Sequence, residues 1–252
     1  MNLKNLWIFM RLKGAMRRIQ EGIHSYLWKC QNIRPEGLDH HWSVIPNNIE
    51  QRIFDIVTHE AAEYVLEHMN DISGTLDRFF IIEYCTLRSP TAGLYLEFGV
   101  AHGNSINHIA SFAETTVHGF DSFEGIPEDW GSCKKRAFST EGNLPPTKDN
   151  VELHVGWFDD TLPKFLENHK DNISFLHIDS DLYSSAKTVL TLLADKIVVG
   201  TIILFDEYFN YPGWKQNEYR AFQEFVLEHN VKYKYIAYCS KGYSVAVIIE
   251  EI

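Results

Sequence analysis

Acidic residues stand at or near the ends of four short apolar runs, and this pattern is the strongest chemical signal in the sequence. The acids are Glu97, Asp121, Asp179 with Asp181, and Asp206 with Glu207. The carboxyl ends of parallel strands meet at one edge of a sheet, so we expect these side chains to converge. Carboxylates that close repel one another unless a proton or a cation joins them. The pattern therefore predicts a polar, cation-binding site at that edge.

The acids of the last two runs predict a metal site. Asp179, Asp206 and Glu207 offer the oxygen ligands that Mg²⁺ prefers. Such an ion would hold a substrate hydroxyl and lower its pKa, and Asp179 could then act as general base. Asp181 could be a further ligand or cap the helix that follows. The alternative is a set of solvated caps and loop acids that bind no metal.

A glycine turn follows the first of these runs, and it predicts where a cofactor binds. Gly99 and Gly103 precede Asn104 and Ser105, which open a helical pattern and leave backbone N–H groups free for a ligand. A dinucleotide fingerprint needs three glycines, and two of those places hold Glu97 and a histidine. A carboxylate there suits a cofactor with an amino group, such as S-adenosylmethionine. The alternative is an ordinary turn whose glycines only relieve strain.

The next strand ends contribute candidates for the nucleoside part of that cofactor. Asp121 lies near the spacing at which an acid accepts hydrogen bonds from both ribose hydroxyls, although it could instead cap a helix. Ser122 adds a polar group. Trp157 and Phe158 could stack on a nucleobase or belong to the core.

These residues must be positioned by regularly alternating strands and helices. Strands are predicted at 94–98, 116–120, 151–155, 173–178 and 200–205, with helices between them, and a hairpin at 231–238 and 243–249. Ser184 or Ser185 is expected to cap the helix after the fourth strand, and a further helix is predicted at 215–229. The pattern indicates an α/β fold: a Rossmann-like parallel sheet with one antiparallel strand from the hairpin and helices on both faces.

The chain before the first strand divides into two predicted parts. Residues 49–90 form two or more helices that cover the sheet or cap the site, and residues 91–252 form the core. Residues 1–48 form a basic helical extension and a linker, with a local charge of +5 over residues 1–30. The basic helix packs on its own domain or on a second subunit, giving a homo-oligomer, or it lies on an anionic membrane. His40, His41 and Trp42 are surface residues of the linker or part of a lid.

Composition excludes several classes of protein. The formal net charge of −11 over 252 residues disfavours nucleic acid as a partner. Four widely spaced cysteines fit reduced thiols rather than a disulfide framework or zinc site. No apolar run is long enough for a transmembrane segment, and the first residues do not resemble a signal peptide. We expect a cytoplasmic protein.

Five ordered segments together resemble one family. YLEFGVAHGNS, FDSFEGIPEDW, VGWFDDTLP, HIDSDLYSS and ILFDEYFNYPGW are similar to the class I S-adenosylmethionine-dependent methyltransferases, and among them to the macrocin O-methyltransferase type. The resemblance covers residues from about 93 to the C-terminus. It implies a seven-stranded Rossmann-like sheet and methyl transfer to a hydroxyl of a sugar or natural product.

The resemblance also implies roles for particular residues. Residues 97–103 would hold the methionine part of the cofactor and Asp121 its ribose, while Asp179, Asp206 and Glu207 fall where related enzymes bind Mg²⁺. The family has a second aspartate where this chain has Glu207. Two alternatives remain: a catalytically silent protein that keeps the fold as a binding scaffold, and a nicotinamide-dependent oxidoreductase, which the missing glycines disfavour.

Overall fold

The computed structural model describes residues 48–252, and strands and helices alternate along most of this range. Two helices come first, α1 (Ile49–His68) and α2 (Arg78–Arg88). The other elements are β1 (Leu94–Phe98), α3 (Asn104–Phe112), β2 (Val117–Asp121), β3 (Val151–Val155), α4 (Phe158–Asn168), β4 (Ile173–Ile178), α5 (Tyr183–Leu193), β5 (Ile202–Phe205), α6 (Glu218–His229), β6 (Lys232–Tyr238) and β7 (Val245–Glu251). The predicted basic helix and linker at residues 1–47 lie outside the described residues.

The seven strands form one sheet in the order β3-β2-β1-β4-β5-β7-β6. β1 to β5 are mutually parallel, and β7 is inserted antiparallel between β5 and β6. This arrangement confirms the predicted Rossmann-like sheet. Strand order reverses beside β1, because the chain runs outward from β1 through β2 to β3 and then returns to β4. Ligands bind at such reversal points in open α/β sheets.

The register of the sheet places the residues at the ends of β2, β1, β4 and β5 side by side. Phe120, Phe98, Ile178 and Phe205 are neighbours across the four central strands. The next residues are therefore Asp121, Gly99, Asp179 and Asp206. Backbone hydrogen bonds continue this line, since Asp179 N–H donates to the Phe98 carbonyl and Asp206 N–H to the Ile178 carbonyl, both at 2.9 Å.

Alternating side chains divide the core between the two faces of the sheet. Residues such as Leu96, Leu176 and Ile203 contribute to one buried cluster with α1, α4, α5 and α6. Tyr95 and Phe175 contribute to the other, with α2 and α3. Helices thus cover both faces, as a parallel sheet requires.

Two local predictions, a helix cap and a helix start, were wrong. α5 begins at Tyr183 with Leu182 as its N-cap and no side-chain cap, because the Ser184 hydroxyl donates to Glu128 at 2.6 Å instead. The helix predicted at 215–229 is interrupted at Asn217, whose non-helical backbone separates a 3₁₀ turn, Trp214–Gln216, from α6.

No helix between residues 48 and 252 is both long and apolar enough to cross a membrane. Cys85, Cys133 and Cys239 are free thiols.

Candidate active site

The glycine turn after β1 is pressed between two neighbouring strands. Gly99 has φ of +96°, and a Cβ at this position would lie 1.7 Å from the carbonyl oxygen of Asp179. Its N–H donates to the Phe120 carbonyl at 2.9 Å. Only glycine meets both requirements, because other residues rarely adopt this φ and carry a Cβ. Gly103, at φ +77°, starts α3, where a Cβ would crowd Pro145 at 2.9 Å.

Asp121 fixes the same turn from the end of β2. Its Oδ2 accepts hydrogen bonds from the N–H groups of Val100 and Ala101, both at 2.8 Å. Its Oδ1 accepts one from Phe123 N–H at 2.7 Å. Asp121 is therefore not a helix cap, the alternative that the sequence left open. A carboxylate has about four lone-pair sites, so these bonds leave capacity for a ligand.

A cavity of about 620 Å³ opens at these strand ends. Its size is within the range of ordinary small-molecule sites. Most predicted site residues line it, namely Gly99, Asn104, Ser105, Asp121, Ser122, Trp157, Phe158, Asp179 and Glu207. Glu97, Gly103 and Asp206 are not among the lining residues. The carboxylate of Glu97 is fully buried behind the wall, so its predicted contact with a cofactor stays a prediction.

A guanidinium lies where the sequence predicted a metal ion. Nη2 of Arg78, in the first turn of α2, is 2.9 Å from Asp179 Oδ2 and 3.0 Å from Asp206 Oδ2. The two carboxylates do converge, and the positive charge between them belongs to the protein. Nothing in the sequence around Arg78 signalled this role, since α2 precedes the whole strand and helix pattern.

A buried histidine connects the acids of β1 and β5. His177 lies in β4, between these strands and opposite Glu97, and both side chains are fully buried. Nδ1 of His177 is 2.9 Å from Glu97 Oε1, and its Nε2 is 3.9 Å from Asp206 Oδ1, an ion-pair distance too long for a hydrogen bond. Burial acts to lower the pKa of His177, but Asp206 and Glu97 outweigh it and raise the pKa to about 10. His177 is therefore positively charged.

The two aspartates beside Arg78 have opposite pKa shifts. Burial, followed by the charge of Asp206, raises the pKa of Asp179 to about 8. Burial also acts on Asp206, but His177, Arg78 and the Ser244 hydroxyl hold its pKa below the ordinary value. The pair thus contains one firmly ionised carboxylate and one that exchanges a proton near neutral pH. A carboxylate tuned in this way suits a general base.

Glu218 joins the loops that carry these acids. Its carboxylate is fully buried and accepts hydrogen bonds from Ser180 N–H at 3.2 Å and Glu207 N–H at 3.1 Å. Burial raises the pKa of Glu207 well above its usual range, with neighbouring acids adding to the effect. The sequence placed Glu218 in a helix, and only the packing of α6 shows that it holds two strand-end loops in register.

The side chains present fit a hard divalent ion in chemical type. Asp179, Asp206 and Glu207 supply carboxylate oxygens, and Oε2 of Glu207 is buried without a hydrogen-bond partner in the described part of the chain. His177 lies within reach, but a protonated imidazole has no lone pair to donate. Since Arg78 already contacts two of the oxygens, an ion at this place and the guanidinium compete for the same ligands.

Aromatic side chains also line the cavity. Trp157 precedes α4, and the Phe158 ring packs edge-on against Phe98 at 5.2 Å while also lining the cavity. Phe158 therefore contributes both to the core and to the site, the two possibilities that the sequence left open. Trp130 and Phe138, from the long connection between β2 and β3, add apolar surface that sequence reasoning missed.

Comparison with known proteins finds a family match over the strands that carry the candidate site. A family described as "Methyltransferase domain" matches residues 96–208. This range starts in β1 and contains the glycine turn, Asp121, Asp179 and both acids after β5.

One curated relative is named as an O-methyltransferase. Demethyldecarbamoylnovobiocin O-methyltransferase from Streptomyces niveus is 31% identical over 129 residues, which cover 43% of this chain and 48% of that protein. The chain therefore matches about half the length of this relative.

Two solved structures share the fold. The O-methyltransferase NovP has a TM-score of 0.51 and 24% identity, covering 69% of this chain and 80% of that one. A calicheamicin methyltransferase has a TM-score of 0.54 and 19% identity, covering 86% and 99%. At these identities the likeness concerns the fold alone.

Proposed function

We propose that the chain is a class I S-adenosylmethionine-dependent methyltransferase and that it transfers a methyl group to a hydroxyl of a sugar or natural-product small molecule. One observation carries the proposal: a single cavity is lined by the turn that Asp121 holds and by Asp179, whose pKa lies near neutrality. The first feature suits a nucleoside cofactor and the second suits an acceptor hydroxyl. The relative from Streptomyces niveus is named for methylation of a natural product, which supports this class of acceptor.

The electrostatics of the cavity support a cationic cofactor. Asp121, Asp179, Asp181 and Glu207 line it, and Arg78 is the cation that contacts Asp179 there. A cation bound beside Asp179 and Glu207 would favour their ionised forms and lower the pKa values that burial has raised. S-adenosylmethionine supplies a methyl group on a sulfonium that is already a good leaving group. We place its ribose beside Asp121 and Ser122 and its base near Trp157 and Phe158.

Residues 99–105 would receive the methionine part of the cofactor. Gly99, Asn104 and Ser105 line the cavity beside the start of α3, and Gly103 gives this helix its entry angle. Glu97 does not line the cavity and would act on the cofactor indirectly, through His177. Its second carboxylate oxygen has no hydrogen-bond partner within residues 48–252, and a bound cofactor that reaches this oxygen would contact Glu97 directly.

Asp179 is the proposed general base. It would accept the proton of the acceptor hydroxyl as the new oxygen–carbon bond forms and the carbon–sulfur bond breaks. Most of the rate enhancement would come from holding oxygen, carbon and sulfur in line, since effective molarities of oriented reactants are very large. Arg78, which also pairs with the buried Asp206, holds the Asp179 carboxylate in place.

A divalent ion such as Mg²⁺ would be held by Asp179, Asp206 and Glu207 after Arg78 withdraws. When bound, it would supply Lewis-acid activation of the acceptor hydroxyl. Equal turnover of chelator-treated and Mg²⁺-supplied protein would remove the metal from this proposal and leave the protein cations Arg78 and His177 to compensate the acids.

Replacement of Asp179 by Asn tests the proposed function. With S-adenosylmethionine and a panel of glycosides bearing free hydroxyls, formation of S-adenosylhomocysteine should fall by about 10²–10⁴-fold, the usual contribution of a general base. Calorimetry should show cofactor binding largely unchanged in this variant. Asp195→Asn, at an exposed carboxylate away from the cavity, is the matched control and should keep full turnover.

The competing scaffold function predicts a different outcome. A silent protein that keeps only the fold would give neither heat nor a thermal shift with S-adenosylmethionine or S-adenosylhomocysteine. That result for the unmodified full-length chain would contradict the proposed function.

A further inference from the structure

Two histidines and a glutamate meet at the edge of the sheet, away from the cavity. His118 lies in β2, and Glu152 and His154 lie in β3. His118 is opposite Glu152 in the register, and His154 is two residues further along β3. Side chains two residues apart lie on the same face of a strand, so all three project to the face covered by α4. None of them lines the cavity described above.

The distances between their ligand atoms fit one small metal ion. Nδ1 of His118 is 3.2 Å from Nε2 of His154 and 3.7 Å from Oε2 of Glu152. Tetrahedral Zn²⁺ has bonds of about 2.0–2.1 Å, which places neighbouring ligand atoms about 3.3 Å apart. One ligand atom from each residue lies within 4.8 Å of the others, so the set closes with little movement.

Neighbouring rings hold the two imidazoles in place. The His154 ring stacks on Phe120 at 4.6 Å, and the His118 ring meets the edge of Phe165 at 4.8 Å. His118 is buried, whereas the Glu152 side chain is 57% exposed. The site therefore combines fixed ligands with an open side through which an ion can enter.

The two nitrogens that face each other share one hydrogen bond, since Nδ1 of His118 is 3.2 Å from Nε2 of His154. One of these nitrogens carries the hydrogen, so one ring changes tautomer when both nitrogens bind an ion. Burial lowers the pKa of both histidines, which favours the neutral form that binds metals.

We propose that His118, His154 and Glu152 form a binding site for a divalent transition-metal ion of the Zn²⁺ type, with water as the fourth ligand. Two nitrogens, one carboxylate and an open position are a typical Zn²⁺ set. Among residues 48–252, β3 is an edge strand that pairs only with β2. An ion at this site would therefore tie the edge strand to its neighbour and stabilise the side of the sheet that leads into Trp157.

Titration of the full-length chain with Co²⁺ tests the site. After removal of metals by a chelator, one equivalent of Co²⁺ should produce the intense visible absorption of a tetrahedral site, and Zn²⁺ should displace it. Zn²⁺ should also raise the melting temperature, because it binds the folded state. His154→Ala and Glu152→Gln, at partly exposed positions, should each weaken binding by at least about tenfold, since loss of an outer-shell partner alone costs 10–100-fold.

Three controls separate this site from others. His59→Ala removes an exposed histidine that is 3.4 Å from Glu63, a pair of the same chemistry, and should leave Co²⁺ absorption unchanged. Asp179→Asn should also leave it unchanged, which distinguishes this site from the acids of the cavity. His40→Ala with His41→Ala tests the tandem histidines in the first part of the chain and should have no effect.

The proposal would be overturned by either of two results. One is a wild-type chain that shows no tetrahedral Co²⁺ absorption and no heat with Zn²⁺. The other is a folded His154→Ala variant that binds Co²⁺ as tightly as the wild type.

Discussion

Two groups of histidine and carboxylate in this molecule have the same residue types and opposite electrostatics. His177 lies between Glu97 and Asp206 in the centre of the sheet, and its pKa is raised to about 10. His118 lies beside His154 at the sheet edge, and its pKa is lowered to about 4. Burial acts to lower the pKa of both histidines. The neighbours decide the outcome, since acids stabilise the imidazolium and a second imidazole does not.

The difference shows what each group can bind. The central group already contains two protein cations, His177 and Arg78, so a metal ion there must displace one of them. The edge group contains two imidazoles and one accessible carboxylate, and a metal ion there would replace only the hydrogen bond between the two rings. Residue type alone does not distinguish these two states.

Removal of His177 should have the largest effect on stability. His177→Ala leaves Glu97 as an uncompensated buried acid, whereas Asp206 keeps its ion pair with Arg78, and we expect a loss of about 3–5 kcal/mol in the free energy of unfolding. Urea denaturation measures this loss. His229→Ala, at the exposed C-terminal end of α6, is the control and should cost less than about 1 kcal/mol. A loss as small as that of the control would mean that His177 is not charged in the folded protein.

The next largest effect should be the pH dependence of stability, in which His118 and His177 act in opposite directions. Because the pKa of His118 is about 4 when folded and about 6.5 when unfolded, the unfolded chain binds the proton first as pH falls. This histidine therefore stabilises the fold above pH 6.5, and about 3 kcal/mol is lost as pH falls towards 4. Unfolding measured from pH 7 to 4 should show a correspondingly shallower loss in His118→Phe.

His177 should act at the other end of the pH range. Its pKa is raised on folding, so its stabilising contribution is complete below about pH 6.5 and is lost as pH rises through about 10. A steeper alkaline loss in the wild type than in folded His177→Gln would support this. The same alkaline profile for both would contradict it.

Replacement of Arg78 should have the smallest effect and the most specific one. Arg78→Gln removes the guanidinium that competes for Asp179 and Asp206, so Mg²⁺ affinity measured by calorimetry should rise by about tenfold, or ~1.4 kcal/mol. Arg88→Gln, at the other end of α2, changes the same charge away from the cavity and is the matched control. Unchanged Mg²⁺ binding in Arg78→Gln would show that the ion and the guanidinium do not share ligands.

The sequence predicted the sheet and the line of strand ends well, because both depend on local patterns. Apolar runs of strand length define β1 to β5, and the acids next to them must then meet at one edge. The sequence suggested that Gly99 lies in a tight turn. Only the structure shows why a side chain does not fit there, because the Asp179 carbonyl lies against this glycine. Helix starts were less predictable, since Ser184 found a partner in Glu128 that is distant in sequence.

The partners of the site acids could not be predicted in the same way. Arg78, His177 and Glu218 each act through contacts between residues far apart in sequence. No local pattern marks such a residue, because a single arginine, histidine or glutamate looks the same in solvent and beside a buried acid.

The sequence by itself determined the order of strands and helices, the glycine turn and the set of acids at the strand ends, since periodicity and residue type are local properties. Only the tertiary structure decided how the charges of those acids are compensated: by Arg78 between two aspartates, and by a proton on His177. The physical reason is that protonation and ion pairing depend on burial and on neighbours a few ångströms away, which the folded chain brings together.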